Sequence, residues 1–292
     1  MTRNEALAVG AGTLCGVLVG AAMVASRYAL TETTPATLAL FRYAIGVIGL
    51  APALLFIRRV EFRRRDLLPV AALGIGQFAV LIALLNYGLQ YVGSGLAALL
   101  FATMPVMTLT FATIGGLEKI SRYKLAGILC SLIGVALASG LLDGSGATAI
   151  ASPAGIVAIL ASAAVGGLCS IFYRPYLQHY PPVQVGTLAM LASVLFLALP
   201  AAWEGAFDAL PAFSAAGWFA VIFIGLSSSA GYAAWLLALK HATPTRVALF
   251  MALGPVVATG LGATVLGEAV TTTFLLALLS VIVGLWLAHR PG

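Results

Sequence analysis

The chain has 292 residues, 62% hydrophobic and 8% charged, with a mean hydropathy of +1.08. No soluble domain of this size is that poor in charge, so the composition excludes a soluble globular protein and gives an all-α polytopic membrane protein. The formal net charge of +6 is what basic loops on one membrane face produce; without a Lys/Arg-rich tail or an aromatic-interleaved basic face it does not point to nucleic acid.

In chain order, ten apolar spans are predicted as helices, at residues 5–27, 35–57, 67–91, 94–115, 123–142, 153–175, 182–201, 213–239, 243–265 and 271–288. Each has, or nearly has, the ~20 residues that cross the hydrocarbon core. The first apolar stretch, residues 7–25, is too long for a signal-peptide core and is read as a retained first helix. The connections are short and carry Pro or Gly: Thr33-Thr34-Pro35, Asp143-Gly144-Ser145-Gly146, Tyr180-Pro181-Pro182, Ala209-Leu210-Pro211. Cys15, Cys130 and Cys169 lie inside spans at unrelated spacings, so they are read as small packing residues and no metal or cofactor is expected.

The chain repeats itself. Ala98-Leu99, Ala102, Pro105-Val106, Glu118, Leu125, Leu129 and Gly134 return 150 residues later as Ala248-Leu249, Ala252, Pro255-Val256, Glu268, Leu275, Leu279 and Gly284. An offset of 147 aligns Gly20 with Gly167, Arg27 with Arg174 and Pro35 with Pro182, which implies a three-residue insertion between the second and third helices of the second copy. Each copy holds five spans. Five is odd, so the copies must run through the membrane in opposite senses, the usual build of a carrier. The predicted units are residues 1–142, a linker at 143–152, and an inverted second repeat at 153–292.

With a cytoplasmic N-terminus, the inner ends collect Arg3, Arg58, Arg59, Arg63, Arg64, Arg65, Lys119, Arg122, Lys124, Arg174, Lys240, Arg246 and Arg290, thirteen of the fifteen Lys and Arg. Only Arg27 and Arg42 fall elsewhere. The positive-inside rule then places both termini in the cytoplasm of a multi-pass inner-membrane protein.

Arg27-Tyr28-Ala29-Leu30, Pro35, Phe41-Arg42 and the two Ala-Leu … Pro-Val … Glu … Gly blocks resemble EamA-type members of the drug/metabolite transporter superfamily, over essentially the whole chain. The Tyr232-Ala233-Ala234-Trp235 stretch is similar to YddG-type exporters of aromatic amino acids. Many members have Trp-Gly early in the first helix, where this chain has Val19-Gly20. The resemblance implies a ten-helix basket in which helices one to four of each repeat surround a central cavity and the fifth lies outside. It also implies export of small metabolites, amino acids among them, from the cytoplasm. A broad drug/metabolite exporter and a non-transporting membrane subunit are the alternatives.

Pro105 and Pro255 break backbone bonds that lipid cannot repair, so their kinks should face protein or a wet cavity. Either they pack, or they shape a cavity wall with Phe101, Thr103 and Met104 in one copy and Met251 and Leu253 in the other. Gly12, Gly16 and Gly20 form a small-residue stripe that suits close helix contact. Gln77 and Phe78 on the third helix, and Ser228, Tyr232 and Trp235 on the eighth, are the aromatic and polar groups expected to meet a small organic solute. Tyr87, Tyr91, Tyr173 and Tyr176 are read as interface-belt residues.

All nine acids fall at or near span ends, and so do the three His, leaving no mid-membrane proton acceptor of the usual kind. Arg42 sits about two turns into its helix, where it either snorkels outward or serves function. The repeat places Arg27 and Glu268 at the outer surface and their equivalents Arg174 and Glu118 at the inner one. Each Glu thus has an Arg of the other repeat at its own surface. The pairs would latch the two faces in turn; alternatively, the acids face water or cap neighbouring helices. No His-Glu-x-x-His, no Gly-x-Ser-x-Gly and no intramembrane aspartate pair supports an enzyme. The expected partners are a small-molecule substrate and the lipid bilayer.

Overall fold

The computed structural model describes residues 3–56, 60–117, 121–138, 152–208, 212–241, 250 and 253–288. Among these, ten helices follow one another and no strand occurs: α1 Arg3–Ala29, α2 Pro35–Leu55, α3 Arg64–Tyr91, α4 Ser94–Ile114, α5 Arg122–Ala138, α6 Pro153–His179, α7 Pro182–Trp203, α8 Ala215–His241, α9 Leu253–Val265 and α10 Thr272–Ala288. Seven are long and apolar enough to span a membrane. The other three, α5, α9 and α10, have 17, 13 and 17 described residues. Pro35, Pro153 and Pro182 open their helices, where the missing N–H costs nothing.

Two helices are less regular than the sequence pattern predicts. In α3 the stretch Ile75–Val80 is π-helical, a widened turn that shifts the phase of the side chains beyond it. The glycines around it admit close neighbours: a Cβ at Gly74 would stand 2.5 Å from the Cα of Ala189 in α7, and one at Gly76 would stand 2.9 Å from the Cys169 sulfur in α6. In α4 the helix breaks at Ala102-Thr103 and restarts at Met104 with Pro105 in its first turn. Pro105 has no N–H to give the Phe101 carbonyl and its ring crowds that oxygen, so the chain begins a new helix instead of bending the old one.

The packing obeys the repeat. α1 lies against α8 and α9, and its equivalent α6 lies against α3 and α4; α2 meets α8 as α7 meets α3. In lipid no hydrophobic force separates helix from tail, so contact rests on close backbone approach. The Gly12–Gly16–Gly20 stripe meets α9: a Cβ at Gly12 would strike the Phe250 ring, one at Gly16 the Phe250 carbonyl, and one at Gly20 the Gly254 carbonyl. The matching contact in the other half sets Gly166 against Met104 and Gly167 against Thr108.

The sense of the repeat is read from α5 and α10. A Cβ at Gly134 would stand 2.8 Å from the Ala277 carbonyl, and one at its equivalent Gly284 would stand 2.8 Å from the Gly127 carbonyl. Seven residues forward on α5 thus answer to seven residues back on α10. The two are antiparallel and related by a two-fold axis across the helices, so the repeats are inverted. The largest apolar cluster joins Met23, Tyr43, Leu85, Leu100, Ile159, Met190 and Ala258, and none of its fully buried members lies on α5 or α10.

Candidate functional site

At one surface the ends of α1, α3, α4 and α9 converge on a clamp. Gly267, at φ +67°, turns the chain after α9 in a conformation that favours glycine. This brings the Glu268 N–H back to the Gly262 carbonyl at 3.0 Å. The Glu268 carboxylate then lies over the N-terminus of α4. It accepts the Ser94 N–H at 2.8 Å, the Ser94 hydroxyl at 2.8 Å and the Gly95 N–H at 3.4 Å. These are orphan donors at the positive end of a helix, where a carboxylate is favoured. Arg27 Nε closes on the same carboxylate at 2.9 Å, while its Nη1 donates to the Leu89 and Val92 carbonyls at 2.5 and 2.6 Å. The two side chains are 24% and 19% exposed, so water screens the pair only in part. Beside it opens a cleft of about 310 Å³ lined by Tyr28, Thr31, Leu89, Gln90 and Leu266.

Two further acids at this surface also cap helices. Glu204, just after α7, accepts the Ala36 and Thr37 N–H groups at 3.1 and 2.8 Å and two threonine hydroxyls at the start of α2. Glu32 accepts the Ser214 N–H at 2.7 Å and hydroxyl at 2.6 Å ahead of α8. Each carboxylate ties the end of one repeat to the other. Sequence reasoning missed Glu204 and Glu32, because their partners lie 167 to 182 residues away.

The opposite surface is held differently. Tyr180 donates to Asp66 at 2.6 Å and accepts the Arg63 N–H at 3.2 Å, and Gln184 exchanges two hydrogen bonds with the Val60 backbone. Arg174 is exposed and has no ion-pair partner among the described residues. Glu118 and Met251 lie outside the described residues.

Midway along α3 a third group of side chains assembles. Tyr43 of α2 is buried and packs on Phe78 with ring centroids 5.1 Å apart. Tyr173 of α6 stands one turn beyond Cys169 and packs against Val70 and Val185. Tyr232 of α8 fills the space left by Gly186 and donates to the Pro182 carbonyl at 2.8 Å. The Gln77 side-chain oxygen and the Tyr173 hydroxyl are both buried without a hydrogen-bond partner. Tyr173 is therefore not an interface-belt residue: Tyr87 and Tyr91 are each 41% exposed and meet at a tilt, whereas the Tyr173 hydroxyl is enclosed.

This arrangement can be set beside known proteins. The family described as EamA-like transporters matches residues 6–140 and again 153–290. The chain belongs to the EamA-like transporter family. An uncharacterized transporter of Archaeoglobus fulgidus is 26% identical over 93% of this chain and 94% of its own length. A "probable terminal-alkyne amino-acid exporter" of Streptantibioticus cattleyicolor is 30% identical over 89% and 86%. A "probable amino-acid metabolite efflux pump" of Salmonella typhimurium is 26% identical over 93% and 91%. One solved crystal structure, 19% identical, matches with a TM-score of 0.67 over 97% of this chain and 96% of that one, which shows the fold. This EamA-like protein is a multi-pass membrane protein of a transporter family.

The remaining candidates of this EamA-like chain are dispersed. Thr103 is buried and donates to its own Leu100 carbonyl at 2.6 Å. Met104 wedges against Gly166, beside Pro105 at the break in α4. Phe101 packs on the edge of the central cluster. Trp235 packs with Ala11 and Cys15 between α8 and α1. Leu253 lies against Gly16, one residue before Gly254 and the buried Pro255. Ser228 donates to the Ile224 carbonyl and accepts Arg42 Nε at 2.8 Å, so Arg42 engages α8.

Proposed function

We propose that this protein is a carrier in the cell inner membrane that exports small metabolites by alternating access. We take amino acids with apolar or aromatic side chains as its favoured substrates, and both termini as cytoplasmic. The observation that carries the alternating-access reading is the Arg27–Glu268 pair, 2.9 Å long, joining the two repeats at one surface while Arg174 stands exposed at the other. In this reading the clamp shuts the outside. It must open for release as an Arg174–Glu118 pair shuts the inside. An exposed ion pair is worth about 0–1 kcal/mol and a partly enclosed one more. A change of about 1.4 kcal/mol shifts a two-state population tenfold, so each latch is strong enough to bias the carrier and weak enough to open. Amino acids as substrates are supported by the names of the two exporters among its relatives and by Tyr43, Phe78 and Tyr232 gathered in the central cluster beside Gln77. The test is efflux from liposomes holding only this protein, loaded in turn with aromatic, aliphatic and charged amino acids and with non-amino metabolites. Saturable efflux of the apolar and aromatic amino acids is expected. Efflux of other metabolites alone would replace the substrate class, and no efflux at all would remove the transport reading.

A further inference from the structure

Unmet hydrogen bonding of two opposite kinds flanks a single aromatic ring at the level of α3's wide turn. On one side are an acceptor and a hydroxyl that both accepts and donates. The Gln77 carbonyl oxygen and the Tyr173 hydroxyl are buried with no partner. A buried acceptor left alone costs about 1–3 kcal/mol, and at membrane depth lipid cannot supply the missing donor. The chain brings the two into one neighbourhood. Gln77 lies between Gly76, which abuts Cys169, and Phe78, which packs on Tyr43; Tyr173 stands one turn beyond Cys169 on the same face of α6. On the other side are donors. Arg42 gives Nε to Ser228, and among the described residues its two terminal nitrogens make no hydrogen bond. Its guanidinium carbon stands 5.7 Å from the centre of the Tyr43 ring, whose other neighbour is Phe78.

A lone cation would meet the acceptors but face the Arg42 charge in a weakly screened setting. A lone anion would meet Arg42, and could take the Tyr173 hydroxyl as a donor, but would leave the Gln77 oxygen unmet. A zwitterion answers both. We infer that Arg42 reads the carboxylate of an α-amino acid, that Gln77 and Tyr173 read its ammonium, and that Tyr43, Phe78 and Tyr232 face its apolar body. Free guanidinium nitrogens suit a carboxylate in the planar, paired geometry that Arg offers. An ammonium brings three donors and gains from aromatic faces as it loses water. The α2–α8 and α3–α6 contacts hold these groups on four helices of both repeats, so movement between the repeats changes the spacing of the two poles. This inference rests on the amino-acid reading above and assigns its recognition to named side chains.

The test is competition against labelled L-phenylalanine in liposomes. Two competitors each lack one pole: 2-phenylethylamine has no carboxylate and 3-phenylpropionate has no ammonium. In the wild type, unlabelled phenylalanine should compete at least tenfold better than either. Arg42→Gln should collapse the preference over 2-phenylethylamine and leave that over 3-phenylpropionate. Gln77→Leu and Tyr173→Phe should do the reverse. The inference is overturned if either single-pole analogue matches phenylalanine in the wild type, or if all three variants move both ratios alike. Where a variant does not fold, the wild-type ratios decide. Where phenylalanine is not carried, the amino-acid reading of the function fails. The shift in unfolding temperature of the purified protein with phenylalanine and each analogue then decides this inference separately.

Discussion

Ser280 donates its hydroxyl to the carbonyl of Cys130 across 2.8 Å, and the two residues stand at the same place in the two repeats, 150 positions apart. A two-fold axis must pass near this bond. On either side of it Gly134 and Gly284 each receive the other helix. The α5–α10 pair is therefore a self-matching contact that joins the repeats outside the central cluster.

Enlarging either glycine should part that contact. Gly284→Leu would drive a side chain into the Gly127 carbonyl and the Ser131 hydroxyl. Overpacking of this kind costs about 1–3 kcal/mol. The unfolding temperature in detergent should fall for Gly284→Leu and stay near wild type for Leu279→Ala on the exposed face of α10. Equal effects would remove the contact from the account.

The Gly16–Gly20 face of α1 should be as intolerant. A Cβ at Gly16 meets the Phe250 carbonyl and one at Gly20 meets the Gly254 carbonyl, so backbone and not a pliant side chain must yield. Gly16→Val and Gly20→Val should each abolish transport and lower stability, whereas Gly10→Ala, which has open space around it, should change neither. Transport assays on the three variants, with expression checked, decide the point.

The clamp predicts a change in access. Ser26 is 1% exposed, one residue inside Arg27 on α1. In a background without native cysteines, Ser26→Cys should react slowly with a membrane-impermeant thiol reagent applied from outside. Adding Glu268→Gln removes the charge that holds Arg27, and the reaction should then run several-fold faster. Gly267→Ala, which forces a side chain into the left-handed region at about 1–2 kcal/mol, should act in the same direction. Unchanged rates in both variants would leave Glu268 as a cap on α4 and nothing more.

Orientation rests on the basic loops. Thirteen of fifteen Lys and Arg fall at the ends assigned to the cytoplasm. A cysteine placed at the exposed Thr271 should be labelled from outside, and one at the exposed Arg63 should be protected. The reverse pattern would invert the clamp and the direction of transport with it.

Much of the fold was legible because it is written twice. The 147- and 150-residue offsets survive as packing: Gly20 on Ala258 mirrors Gly167 on Thr108. The Arg27–Glu268 pairing was accessible from the same arithmetic, since each residue ends a span at one surface. The wide turn in α3 was not, because its apolar pattern, Ile75 to Val80, is as compatible with an ordinary helix. Tyr173 was misread because a Tyr beside an Arg near a helix end has the sequence look of an interface residue. What it packs against, Val70 of α3 and Val185 of α7 with Tyr180 between, comes largely from other helices. Tyr43 went unnoticed for the same reason, beside the more conspicuous Arg42. Carboxylate caps at helix starts follow sequence rules only when the acid is local, and Glu32, Glu204 and Glu268 all cap from elsewhere in the chain.

Counterflow separates an alternating carrier from a pore. Liposomes containing only this protein are loaded with unlabelled L-phenylalanine and diluted into a trace of labelled L-phenylalanine. A carrier that exposes one site to each side in turn must accumulate label transiently above its equilibrium level in the wild type, and Gly20→Val must show no such rise. That overshoot is the result predicted. Label that rises monotonically to equilibrium at the wild-type rate would mean an open pore, and label that stays at the protein-free rate would mean no amino-acid carrier; either contradicts the account.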